Sequence, residues 1–223
     1  MAYYDVAYST RETIENTKFF TDYVLNKHIP GALVECGVAA GAQIAAMQDR
    51  NLLFAGGPRW IYAFDSFEGI PLASEEDDQQ PGIEGPKPII HYTNKRELLR
   101  SSGVTVHSKE LVQSHIKRWF PNNWQNIVLV KGWFQDTLGP YASVFEKLGG
   151  IALLRLDGDL YESTKVSLEH LFPLLNRGGI LIIDDWELTG CRRACEEYFA
   201  THPVEAVEQP YGPSEGPAYF RKV

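Results

Sequence analysis

The sequence is poor in cysteine, in net positive charge and in long apolar runs, and each shortage narrows the reading. Three cysteines occur in 223 residues, Cys36, Cys191 and Cys195, and no two form a CxxC pair. An odd number inside predicted elements argues for free thiols in a reducing compartment, hence a cytoplasmic protein, rather than a disulfide framework. Lysine and arginine number 21 against 29 acids, a formal charge of −8, so no basic stripe is available to neutralise nucleic-acid phosphates. No apolar run approaches the roughly 20 residues that span a bilayer. The opening Met1-Ala-Tyr-Tyr-Asp5 has neither a basic region nor an apolar core, and does not read as a secretion signal. Internal repeats and linkers are also lacking, which predicts one domain over 1–223.

What is present is the patterning of an α/β protein. Hydrophobic residues make up 44% and charged residues 22%, ordinary for a globular chain. Ser9-Thr-Arg-Glu12 has the capping-box pattern and predicts a helix to about Lys27, within a helical segment over 1–30. Ala32-Leu-Val34 reads as a strand, and Glu35-Cys-Gly37-Val-Ala-Ala-Gly41 as a small-residue turn into a helix from Ala42 to Phe54. Gly37 and Gly41 would let backbone approach a ligand closely. The spacing is not the dinucleotide GxGxxG, and Glu35 would repel a diphosphate while favouring an ammonium group. Trp60 to Phe64 is a second strand ending at Asp65, placed to accept the hydroxyls of a ribose.

Pro71 to about Asn94 resists both helix and strand, and 71–107 reads as a lid inserted over an acceptor site. Its acidic run Glu75-Glu-Asp-Asp78 is expected to be a solvated surface. His91, Tyr92 and His107 are candidates to face an acceptor. A helix starts at Ser108, a third strand spans Ile127 to Val130, and Asp136 is expected to cap the helix that follows.

The stretch Ile151 to Trp186 organises the rest. Two apolar runs, Ile151 to Leu156 and Ile180 to Ile183, each end in carboxylates: Asp157-Gly-Asp159 and Asp184-Asp185. Between them a helix carrying Leu168, Leu171, Phe172 and Leu175 is expected to stop at Gly178. A βαβ unit of this kind delivers both acid clusters to one edge of a parallel sheet, where ligands bind. Converging hard acids suit a cation such as Mg²⁺. A helix over Cys191 to Ala200 and two antiparallel strands, Val204 to Val207 and Ala218 to Arg221, complete the chain.

These motifs together resemble the macrocin and mycinamicin O-methyltransferases, which methylate sugar hydroxyls of macrolide antibiotics. The matching segments are Val34-Glu-Cys-Gly-Val38, Phe64-Asp-Ser-Phe-Glu-Gly-Ile-Pro71, Lys131-Gly-Trp-Phe-Gln-Asp-Thr-Leu138, Leu154-Arg-Leu-Asp-Gly-Asp-Leu-Tyr-Glu-Ser-Thr164 and Ile182-Ile-Asp-Asp-Trp186. The resemblance implies a Rossmann-like class I methyltransferase fold, three layers with a seven-stranded, mostly parallel sheet and an antiparallel last strand. It implies S-adenosylmethionine as donor and Mg²⁺ or another divalent cation held by Asp157, Asp184 and Asp185, with Asp157 also the general base. Donor binding falls on Glu35, Gly37, Asp65, Gln135 and Asp136, with Val38, Gly41, Ser66 and Asp159 in the same set. The partner would be a hydroxylated small molecule, a sugar or glycosylated natural product, or alternatively a phenol or catechol. A homo-oligomer is compatible with the sequence. The chain departs from the pattern ExGxGxG at Ala39, where the middle glycine would stand. Two rival readings are a phosphatase using Asp157-Gly-Asp159 as its nucleophile motif, and a donor-binding domain without catalysis.

Overall fold

The computed structural model describes residues 1–77, 99–212 and 216–223. Seven strands form one sheet in the order β3-β2-β1-β4-β5-β7-β6. They are β1 Ala32–Cys36, β2 Ile61–Asp65, β3 Ile127–Lys131, β4 Ile151–Leu156, β5 Leu175–Ile183, β6 Val204–Ala206 and β7 Ala218–Lys222. The first five are parallel, and β7 runs antiparallel to both of its neighbours. This is the sheet that the resemblance implies. Strand order reverses direction at β1 and β4, which opens a crevice beyond their carboxyl ends.

Two apolar layers sandwich the sheet because its strands alternate their side chains between faces. Leu33, Ile180 and Ile182 meet Phe20 and Val24 of α1 (Arg11–Asn26), Ile44 and Met47 of α2 (Ala42–Asn51), and Val112 and Ile116 of α3 (Lys109–Trp119). Val34, Cys36, Leu181 and Ile183 meet Leu138 and Phe145 of α4 (Phe134–Lys147), Leu168 and Leu171 of α5 (Tyr161–Leu171), and Cys191 and Cys195 of α6 (Thr189–Phe199). All three cysteines are buried and unpaired. Among the described residues, no helix is long and apolar enough to cross a membrane.

Three local expectations need correction. The cap of α1 is Thr10, not Ser9, its hydroxyl accepting from the Thr13 amide at 3.2 Å. Trp133 occupies the cap position of α4, so Asp136 lies inside the first turn, where it still faces the positive end of the helix. Helix α5 stops at Leu171, because Pro173 lacks an amide donor, and a short 3₁₀ turn leads into β5. Leu175 therefore belongs to the sheet. Gly178, at φ +80°, sits within β5, where the register against β4 slips from Ile151↔Leu175 to Leu153↔Ile180.

The acidic run after Pro71 is also not wholly a solvated surface. Asp77 is buried, and its carboxylate accepts from the Tyr161 amide at 2.7 Å and from Ser74. It thus satisfies an orphan donor at the start of α5 from a distant segment, a tertiary cap. His91 and Tyr92 lie outside the described residues.

Candidate active site

A cavity opens at the carboxyl ends of β1, β2, β3 and β4. Its walls come from Gly37–Ala39, Asp65–Ser66, Gly69–Pro71, Thr105, Trp133–Gln135, Asp157–Asp159 and Ser163. Six of the expected donor residues therefore share one hollow: Gly37, Val38, Asp65, Ser66, Gln135 and Asp159. Glu35, Gly41 and Asp136 do not line it. Gly41, at φ +90°, caps α2 and packs toward Val112 and Trp119. Glu35 is 1% exposed and lies beneath the floor.

Gly37 is needed for a reason the sequence did not show. At φ +88°, a side chain there would place its Cβ 1.6 Å from the Asp157 carbonyl oxygen, so the β1 turn can pass the end of β4 only as glycine. Ala39 occupies the missing glycine position of the pattern at φ +43°, a left-handed conformation costing a non-glycine residue about 1–2 kcal/mol.

Asp65 is held rigidly. One oxygen accepts from the Val38 amide at 2.7 Å, the other from the Phe67 amide at 2.6 Å. Burial pushes its pKa up, while the backbone donors of Val38, Phe67 and Ala39 work against that rise. Carboxylate oxygens have further lone pairs, so both can still accept from a ligand's hydroxyls.

At the ends of β4 and β5, one oxygen from each of Asp157, Asp184 and Asp185 comes within 4.8 Å of the other two. The three expected metal ligands thus converge. The cation already among them is one that sequence reasoning missed. Arg155 is completely buried in β4 and donates from Nη1 to Glu35 at 2.9 Å and to Asp157 at 2.7 Å, and from Nη2 to Asp184 at 2.5 Å. Its signal was visible in Ile151-Ala-Leu-Leu-Arg-Leu156: a charge inside an otherwise apolar buried strand must find partners. Arg155 engages Oδ2 of Asp157 and Oδ1 of Asp184, while Oδ2 of Asp185 accepts from the Asp159 amide at 2.8 Å. Among the described residues those bonds engage one oxygen of each acid, and Arg155 stands between Asp157 and Asp184, two of the three expected ligands.

Electrostatically, one guanidinium is too little for this cluster. Burial opposes the Arg155 charge, but Asp184, Asp157 and Glu35 outweigh it and hold its pKa well above the ordinary value. The acids pay the reverse penalty. Burial raises Glu35 to about 8 against the pull of Arg155, and Asp184 to about 6. Burial, then the charges of Asp157 and Asp184, raise Asp159 to about 7. Asp185 is driven well above the carboxylate range by burial and then by Asp157, Asp159 and Asp184. Burial and mutual repulsion thus shift Glu35, Asp159, Asp184 and Asp185 toward their neutral forms relative to exposed acids, and a nearby positive charge opposes that shift. Three hard oxygen donors suit Mg²⁺ or Ca²⁺ chemically.

His107 lies elsewhere, edge-on to Tyr8 in a separate hollow with Leu111 and His115. The cavity also uses Trp133, Phe134, Thr105 and Ser163, to which the sequence reading assigned no role.

The sheet order, the reversed β7 and the crevice at β1 and β4 define a class I methyltransferase fold. NovP, a solved O-methyltransferase, shares it with TM-score 0.74 and 28% identity, over 95% of this chain and 80% of that one. A family model for macrocin-O-methyltransferase (TylF) matches residues 5–210, and the chain belongs to that family. Two curated relatives are similar in sequence. One is the 8-demethyl-8-(2,3-dimethoxy-alpha-L-rhamnosyl)-tetracenomycin-C 4'-O-methyltransferase of Streptomyces olivaceus, 35% identical over 83% of this chain and 64% of that protein. The other is the demethyldecarbamoylnovobiocin O-methyltransferase of Streptomyces niveus, 34% identical over 86% of this chain and 66% of that protein. The chain thus spans slightly less than two thirds of the length of these relatives. Family membership leaves the phosphatase reading of Asp157-Gly-Asp159 without support.

Proposed function

We propose that this protein transfers a methyl group from S-adenosylmethionine to a hydroxyl of a sugar carried by a natural product, with a divalent cation such as Mg²⁺ in the site. The observation that carries the reading is the meeting of Asp157, Asp184 and Asp185 beside the Asp65 cavity. The buried thiols are in keeping with a reducing cytoplasm, and the relatives' names point to a small-molecule acceptor rather than a nucleic acid.

The donor's nucleoside would lie in the cavity with its ribose hydroxyls on Asp65, beside Ser66 and Gln135. Asp157, Asp184 and Asp185 would hold the cation, which supplies Lewis-acid polarisation of the acceptor hydroxyl when bound. Asp157 reaches from the cavity wall to the cluster and takes the hydroxyl proton. The acceptor oxygen forms a bond to the methyl carbon as the carbon–sulfur bond breaks, and the sulfonium leaves as a neutral thioether. Alignment and exclusion of water account for the remaining acceleration.

The cavity measures about 80 Å³, well below the roughly 300 Å³ at the small end of ligand pockets. Its outer wall is the Gly69–Pro71 segment, tied back by the Ile70 amide to the Val104 carbonyl at 3.0 Å and the Ser102 amide to the Ile70 carbonyl at 2.8 Å. Seating the donor would require this wall to move outward, an adjustment of a kind common at enzyme lids.

The direct test is transfer of labelled methyl from S-adenosylmethionine to a panel of glycosides and phenols, before and after EDTA. Transfer to glycosides, lost with EDTA and restored by Mg²⁺, is expected. Turnover unaffected by chelation would remove the cation, and transfer to phenols alone would remove the sugar. Asp65→Ala should weaken S-adenosylhomocysteine binding roughly tenfold or more in calorimetry, since two buried hydrogen bonds are lost. Unchanged affinity would place the ribose elsewhere.

A further inference from the structure

A second hollow, of about 470 Å³, lies at the same edge of the sheet on the far side of the carboxylate cluster. Trp186, Ala206–Gln209, Gly212 and Gly216–Phe220 line it. The topology explains the placement. Strand β7 is antiparallel to β5, so its first residue Ala218 pairs with Ile183, immediately before Asp184. Strand β6 is antiparallel to β7, so the residues following its end at Ala206 return to this edge. Along the edge, the order is therefore donor cavity at β1 to β3, acids at β4 and β5, then this hollow at β7 and β6. Adjacent strands stand about 4.8 Å apart, so the hollow begins about one sugar ring beyond Asp184.

Its chemistry differs from the donor cavity. Trp186, Val207, Pro217 and Phe220 make it predominantly apolar, with Glu208 as a polar group on the rim. The Trp186 ring is fixed in place. Arg192 stacks over it at 5.5 Å and donates from Nε to the Trp186 carbonyl at 2.9 Å, and Phe220 lies 5.4 Å from it. The outer wall is anchored to α1 by a reciprocal pair: Asn16 Nδ2 donates to the Tyr211 carbonyl at 2.9 Å, and the Tyr211 amide to Asn16 Oδ1 at 3.1 Å. A mostly apolar, open hollow of this size matches the volume of a small-molecule pocket.

We propose that this hollow seats the aglycone of the acceptor, a planar or polycyclic apolar scaffold stacked on Trp186, while the attached sugar presents its hydroxyl at the carboxylates. The proposal rests on the sugar-methylating function above. It explains how one edge of the sheet can hold a donor, a sugar and a bulky apolar group in line.

The test compares methyl and 2-naphthyl α-L-rhamnopyranosides as acceptors, with wild type, Trp186→Ala and Glu208→Trp. The naphthyl glycoside should have a KM roughly tenfold below that of the methyl glycoside. Both substitutions should erase that difference, while S-adenosylhomocysteine affinity and the methyl glycoside KM stay unchanged. Equal KM values in wild type, or a shift of both acceptors together, would overturn the aglycone seat with the methyl-transfer function left standing. If neither glycoside is methylated, saturation-transfer NMR of the naphthyl glycoside on protein loaded with S-adenosylhomocysteine decides separately. Naphthyl signals that disappear in both variants support the seat, and signals absent in wild type or unaltered by the substitutions refute it.

Discussion

Replacing Asp157 by asparagine is expected to lower methyl transfer by at least 10²–10⁴-fold, roughly the contribution of a positioned general base. Asparagine has the same shape but can neither take the acceptor proton nor offer a charged oxygen to a cation. Asp157 lines the cavity and belongs to the carboxylate cluster, so both losses fall on one residue. The fold should survive, because Arg155 retains Glu35 and Asp184 as partners. S-adenosylhomocysteine should bind the variant almost as it binds wild type. A variant that keeps a tenth of the turnover would remove Asp157 from the base role.

Replacing Arg155 by methionine should have the largest effect on stability. The guanidinium is completely buried and paired with three acids. Removing one partner of a buried ionic network typically costs about 3–5 kcal/mol, a large part of the roughly 5–15 kcal/mol that holds a domain folded. Urea unfolding of the cation-free protein measures it. Adding Glu35→Gln to the same chain should recover part of the loss, because the deepest acid then no longer needs a countercharge. A single variant as stable as wild type would mean that the acids hold protons instead and that Arg155 contributes little.

Much of the fold was legible because its signals are local. The run Ile151 to Leu156 is strand β4 to the residue, and Ser108 caps α3 through the Leu111 amide at 3.2 Å, as the sequence predicts. The departure at Ala39 is equally local, and the alanine takes the left-handed backbone that glycine would supply. Errors arose where a distant residue intervenes. Asp77 looked solvated within its acidic run, yet it reaches 84 positions along the chain to cap α5. The surroundings of Glu35, which ends a strand beside a glycine turn, were likewise not legible locally. Its partner is Arg155, 120 positions away, and no local pattern distinguishes an acid facing a cavity from one facing a buried cation.

The sequence by itself determined which strands form, the edge to which they deliver their acids and the acids that end them, because hydrophobic period, glycine and proline act over a few residues. Only the tertiary structure decided how those acids are balanced. Charges interact through space rather than along the chain, so the role of each depends on which other groups the folded sheet brings to the same few ångströms.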